Sequence, residues 1–218
     1  MASVNKWSGV AVAMQSLLGA NKTITAVAIG ATATVTATHD FLVGDYVVFD
    51  VQGMTQLNDK VFRVDSVATT VSFVIEDTDG TSVNTTGWSA FTSGTCNKIT
   101  FGTSVSTLTT FTGSGGEADS IDTTTIHDNE RTEIPGARSP LSYSFESIWD
   151  PSDTGLIALK AASDLNTKRA FKFTFSTGVI AVFNGYVNYS GSPTGSAQDK
   201  VVSPGTIKVA KSPTYYAS

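Results

Sequence analysis

Apolar and polar residues alternate with a period of two through much of this chain, and that rhythm predicts strands with one buried and one polar face. In "LSYSFES", residues 141–147, Leu141, Tyr143 and Phe145 fall on one side and Ser142, Ser144 and Glu146 on the other. "AFKFTFS" sets Phe171, Phe173 and Phe175 against Lys172, Thr174 and Ser176. The turn "STG" at 176–178 then joins it to "VIAVFNGYVNYS", which predicts a long hairpin. Nearer the N-terminus, "TATVTAT", "DYVVFDV", "KVFRVDS" and "VSFVIED" are separated by the turn signals "VGD", "QLND" and "TDGTS". One stretch departs from the rhythm. In "WDPSDTGLIALKAASDL", Asp150 suits an N-cap, Pro151 the first helical position and Asp153 the third. Leu156, Leu159 and Ala162 form a stripe joined by Ile157, and Gly155 weakens the first turn. The fold class expected is all-β: an antiparallel β-sandwich or barrel with one short helix, plus an inserted small β module.

Composition supports that reading. Only 15% of the 218 residues are charged. The abundant Thr and Val suit strands, while Gly and Asn supply turns. No apolar run is long enough to cross a bilayer. "MASVNKWSGVAVAMQSLLGA" is similar to a short secretion signal, but Gly9, Gln15 and Ser16 interrupt its apolar run, and its alternation suits a strand as well. The single cysteine, Cys96, cannot form an internal disulfide and has no CxxC partner.

Charge is distributed unevenly. Residues 24–96 hold two basic residues and eight acidic ones, a net of −6; the remainder holds twelve and eleven, a net of +1. "NKTIT" begins at residue 21 and "NKIT" at residue 97, so removing what lies between leaves a continuous strand-like stretch. These matching ends predict an acidic module inserted into a parent domain, because insertions are tolerated where a module's own termini lie close together. The division expected is residues 1–23 as the first part of the parent domain, 24–96 as the module, and 97–218 as the rest. His39 and Asp40 open a turn of that module.

The stretch richest in chemistry is "IDTTTIHDNERTEIPGARSPLSYSF", residues 121–145. His127, Asp128, Glu130 and Glu133 have the right atoms for a metal. The other histidine is far away in the module, however, and the stretch lacks the spacing of a calcium loop. Ser139 has no glycine-flanked elbow around it. "GSGGE" at 113–117 lacks the Lys-Ser/Thr ending of a phosphate loop and is expected to be a flexible connection. Neither an enzyme, a metal site nor a cofactor is expected. "HDNERTEIPGARSP" is expected instead to be a loop between two strands that recognises another copy of the chain, with His127, Asp128, Glu130, Arg131, Glu133, Pro135 and Arg138 as interface candidates.

"SIDTTTIHDNERTEIPGARSPLSYSFESIWDPSDTGLIALKAA", followed by "RAFKFTFSTGVIAVFNGYVNYSGSPTGSAQDKVVSPGTIKV", resembles the tail tube proteins of long-tailed, non-contractile, lambda-like phages (siphophages). The order of the marks carries the resemblance: "DTTT", the "IPG" loop, the strand ending in "WDP", the capped helix, the hairpin and the closing "VSPGTIKV". "HDFLVGDYVVF" with "GMTQLNDKVFRV" resembles a small β module that decorates phage virion proteins. The resemblance implies a virion structural protein, assembled in the host cytoplasm, whose homohexameric rings stack into a conduit for DNA ejection. It implies as partners further copies of itself, tape measure protein, tail tip and terminator proteins, and passing double-stranded DNA held without specific binding, with no membrane. A bore that lets DNA slide should not be basic, since each neutralised phosphate adds favourable counterion release. Glu146 and Ser144 are lumen candidates, and Lys172 on a polar strand face is the counter-case. Two other classes share parts of this pattern: the tube protein of a bacterial secretion or tail-like particle, and a secreted carbohydrate-binding β-sandwich, although no exposed Trp/Tyr cluster marks the latter.

Overall fold

The computed structural model describes residues 4–217. Residues 1–3 of the signal-like stretch and residue 218 of the last expected segment lie outside the described residues. Among the described residues the chain is all-β with a single helix. Its first half forms β1 (Ala11–Leu18), β2 (Lys22–Val27), β3 (Thr34–Ala37), β4 (Tyr46–Gln52), β5 (Val61–Ala68), β6 (Ser72–Ile75) and β7 (Ser93–Ser104). Its second half forms β8 (Leu108–Ser114), β9 (Ala118–Asp122), β10 (Glu133–Arg138), β11 (Ser142–Ile148), α1 (Thr154–Asp164), β12 (Lys168–Thr174), β13 (Ile180–Tyr189), β14 (Val202–Val209) and β15 (Thr214–Tyr216).

Six strands close on themselves in the order β2–β3–β6–β5–β4–β7, and β2 pairs β7 to complete a barrel. Phe41, Phe49, Phe62, Phe73, Met54 and Leu57 fill the interior with the inward Val and Ile residues of the strands. Closure gives each of the six strands a partner along part of both edges, so little of the barrel is left open to strand addition. His39 is only 3% exposed, inside this core rather than on an open turn. Its Nδ1 accepts from the Phe41 N–H at 3.1 Å, which leaves Nε2–H to donate to the Ser72 carbonyl at 2.9 Å. Cys96 is buried in the same core, and that desolvation pushes its thiol up to about 12.

The remaining sheet runs β7–β1–β12–β13–β14–β11–β8 and does not close. Phe145, Phe171, Phe173, Phe183 and Tyr189 face one another across its curved inner side, and α1 covers them with Leu156, Leu159 and Ala162. The helix begins one turn later than its sequence suggests. Asp153, not Asp150, is the N-cap and accepts from the Leu156 N–H at 2.8 Å; Asp150 instead holds a local turn by accepting from the Ser152 N–H at 2.9 Å. Both aspartates precede a plausible first turn, and packing against the sheet selects between them. Ile157 does not join the buried stripe and is 54% exposed. Gly155 is required by close approach: a β-carbon there would stand 2.5 Å from the Ser104 carbonyl oxygen.

β7 belongs to both regions. Its first half pairs β4 from Gln52↔Ser93 to Tyr46↔Ile99, and its second half pairs β1 up to Ala13↔Ser104. β2 runs beside β7 just before "NKIT", with Lys22↔Cys96 and Thr23↔Thr95 in register, while Asn97 to Thr100 pair with β4 and β1. Asn97 bridges the kink between β1 and β2 by donating its amide to the Gly19 carbonyl at 2.8 Å and to Asn21 Oδ1. A small third core of Val61, Ile99, Ala170, Val182 and Tyr216 joins barrel to body. There the Tyr216 hydroxyl accepts from the Arg63 N–H at 2.7 Å, and the Arg63 guanidinium lies 4.5 Å from the Tyr216 ring centre while forking onto Glu76. Burial pushes the Tyr216 phenol well above its ordinary value.

Candidate functional site

The stretch "HDNERTEIPGARSP" is not the loop its composition suggests. β9 and β10 pair antiparallel, with Glu133↔Asp122, Ile134↔Ile121 and Pro135↔Ser120 in register, and they carry a tip of residues 123–132 away from the main sheet. The part of "GSGGE" expected to be flexible contributes the end of β8 and the two positive-φ glycines, Gly115 and Gly116, that turn the chain into this hairpin. Residues 117–135 are exposed without interruption. A ribbon with no core has no alternation to betray it in sequence. Pro135 is tolerated because a two-stranded ribbon leaves each strand one unpaired edge.

Glu133, Pro135 and Arg138 sit on β10, and His127, Asp128, Glu130 and Arg131 sit in the tip. Short polar contacts give the tip a defined shape. Asp128 Oδ2 accepts from the Thr125 N–H at 2.7 Å, Asp122 Oδ1 from the Thr124 N–H at 2.9 Å, and the Thr132 carbonyl from the Thr123 N–H at 2.9 Å. Arg131 pairs with Asp122 at 2.9 Å, and Glu133 accepts from the Ser120 hydroxyl. Hydrogen bonds from Thr124 and then Arg131 hold the Asp122 carboxyl below its ordinary value, and those from Thr125 do the same for Asp128. The carboxylates of Asp122, Asp128 and Glu133 thus serve the hairpin itself. Among the described residues no group of three or more His, Cys, Asp or Glu side chains converges as metal ligands. The hairpin also carries uncovered apolar groups: Ile121, Ile134 and Ile126 are 50%, 52% and 96% exposed.

The hairpin springs from the edge of the body sheet, whose outer face is lined by hydroxyls. Register places Ser144 between Thr112 on β8 and Thr206 on β14, and Glu146 between Thr110 and Pro204. These residues and Asn188 line an open groove of about 870 Å³, with Lys160 and Asp164 of α1 at its margin. Sequence alternation assigned Ser144 and Glu146 to a polar face; it did not supply their neighbours, because strand order is a long-range property. Lys172 is not in this groove. Its ammonium lies 5.5 Å from the ring centre of Tyr46 and 5.3 Å from that of Phe101, where barrel meets body.

Comparison with protein families matches residues 52–218 to a family described as phage tail tube protein, TTP. The chain belongs to the phage tail tube protein family. The match spans the whole body after β7 and also the part of the barrel from the end of β4 onward. This tail tube protein is therefore a structural component of a phage tail. A solved chain described as "Tail of empty GTA particle computed with helical refinement, C6 symmetry" is similar at 16% identity, over 55% of this chain and 87% of that one, with a TM-score of 0.40. No curated protein sequence matches.

Proposed function

We propose that six copies of this tail tube protein close into a ring and that rings stack into the conduit through which DNA is ejected. The observation that carries the reading is the exposed hairpin with its three uncovered isoleucines, standing beside a sheet whose last strand, β8, has one unpaired edge. An open edge is an aggregation hazard in a monomer and a joint in an assembly. A heterologous contact that closes makes a ring, and the same chain stacked head to tail makes a filament. Membership of the tail tube family supports this use of those surfaces. The number six follows from the resemblance to lambda-like tube proteins, as do tape measure, tip and terminator proteins as neighbours.

The face bearing Thr110, Thr112, Ser144, Glu146, Asn188 and Thr206 is our candidate for the bore. These side chains offer phosphates no cation; the cations bordering them are Lys160, which is paired with Asp164, and the exposed Lys208 beside Ser142, so few phosphates are neutralised and DNA is held weakly by counterion release. The segment 24–96, with its net charge of −6, is assigned to the outside of the tube as an inserted module.

Negative-stain microscopy and sedimentation test the reading. Wild-type protein should give rings or tubes. Arg131→Glu and Ile134→Asp should leave the circular dichroism of the monomer unchanged and abolish polymerisation, because an uncompensated charge buried at every contact is repeated around the ring. Normal tubes from both variants would falsify the hairpin as a subunit contact.

A further inference from the structure

Where barrel and body meet, β1, β4, β7, β12 and β13 enclose a cleft of about 360 Å³, within the range of small-ligand sites of roughly 300–1,000 Å³. Three amide side chains line it while almost wholly buried: Gln15 and Asn97, each 6% exposed, and Asn184, 7% exposed. Their hydrogen bonds fix which atoms remain. Gln15 Oε1 accepts from the Ala170 N–H at 3.1 Å, which leaves its NH₂ as a donor. Asn97 gives its NH₂ to the Gly19 carbonyl and Asn21, which leaves its oxygen as an acceptor. The Asn184 side chain completes the amide lining. None of these amides has a side-chain atom both buried and unpartnered, so the donor and acceptor capacity they do not spend within the chain is open to solvent or ligand in this cleft.

The charges on its walls narrow the ligand. Asp59, a non-glycine residue at φ 61, holds its carboxylate 2.6 Å from the Lys168 ammonium. That ammonium opposes a divalent cation, and because it is shared between Asp59 and the nearby carboxylate of Asp50, the two carboxylates together oppose an anion. Leu18 and Val48 add an apolar strip. We propose that this cleft binds a neutral sugar residue, whose hydroxyls each donate and accept and whose C–H face lies on Leu18 and Val48. None of the lining residues offers an open aromatic ring for stacking, so affinity should be about millimolar.

The test is a titration of the ¹⁵N-labelled full chain, held dilute enough to remain unassembled, with glucose, galactose, mannose and N-acetylglucosamine to about 50 mM, a range that reaches well past a millimolar Kd. Glycerol serves as the control. At least one sugar should give a saturable shift of the Gln15, Asn97 and Asn184 side-chain NH₂ signals. Asn184→Ala should weaken it tenfold or more, Asp50→Asn at the open rim several-fold, and His127→Ala on the distant hairpin not at all. The Asp50 variant carries the test if Asn184→Ala fails to fold. The proposal is wrong if no sugar saturates, if glycerol shifts the same signals equally and the cleft is a water site, or if sugars shift residues elsewhere. It is also wrong if these signals move only as protein concentration rises, since a second copy then fills the cleft. The sugar and glycerol outcomes are read on the unassembled chain and are independent of whether tubes form.

Discussion

Barrel and body are made of the same kind of strand and solve the edge problem in opposite ways. The barrel closes its ladder through β2–β7 and wraps its phenylalanines completely. The body stops at β8, leaves a seam for the helix to cover, and extends a hairpin with uncovered isoleucines. A closed barrel is finished when it folds, whereas an open sheet is finished by whatever joins its edge. The acidic barrel thus has its ladder closed, and the near-neutral body keeps the open edge to which our proposal gives assembly.

The largest test of that contrast removes a core aromatic from each side. Phe49→Ala in the barrel and Phe173→Ala in the body should each cost about 3–5 kcal/mol, read by chemical denaturation. If the barrel is self-sufficient, Phe173→Ala should leave a barrel transition that persists after the body has melted. A single shared transition in both variants would show that the two cores fold as one.

A smaller change addresses the joint. Tyr216→Phe removes the hydroxyl that accepts from the Arg63 N–H and leaves the ring packed, which should cost about 1–3 kcal/mol. Amide exchange should show the loss at β5 and β15 together. No loss at either strand would mean that the third core carries no coupling. Smaller still is the helix cap: Asp153→Ala should cost about 1 kcal/mol and Asp150→Ala only a few tenths. Equal losses from the two would move the helix start back to the position the sequence suggests.

The least effect on the fold and the most local is that of acid on the hairpin. The Asp122 and Asp128 carboxyls lie below the ordinary value of 3.8 in the folded chain, so what they contribute is fully present above 3.8 and is lost as pH falls through their folded values. Amide exchange at residues 123–132 should therefore speed up below about pH 4, relative to the intrinsic rate, before the barrel changes. Simultaneous loosening of both would contradict the separation of the two regions.

How much of this was legible depended on whether a side chain had to choose a face. Tyr143 against Ser144, and Phe173 against Lys172, declare their strands because burial sorts them. Leu156, Leu159 and Ala162 declare the helix for the same reason. β9 and β10 bury nothing and gave no such signal. The segment in which Asp150, Pro151 and Asp153 all fit a helix start could not name its own cap, since the deciding contact is with Ser104, about fifty residues away. His39 looked like a turn residue because its companions, Phe41 and Phe73, are gathered only by the barrel. The amide cleft was invisible: Gln15, Asn97 and Asn184 are unremarkable singly, and only the meeting of β1, β7 and β13 brings them to one wall. The start of "NKTIT" does lie beside the strand that carries "NKIT", but Lys22 and Thr23 pair with Cys96 and Thr95 just before it, while "NKIT" itself pairs with β4 and β1.

β7 has a mechanical consequence. It is one strand of twelve residues, bonded along its first half to β4 and along its second to β1, and no break separates the two cores it serves. A sideways pull on the barrel therefore loads these ladders in shear, where many backbone bonds must yield together, rather than opening them one at a time like a zip. A tail that bends should flex at the contacts between subunits, while each barrel rides with its own body as a stiff lever.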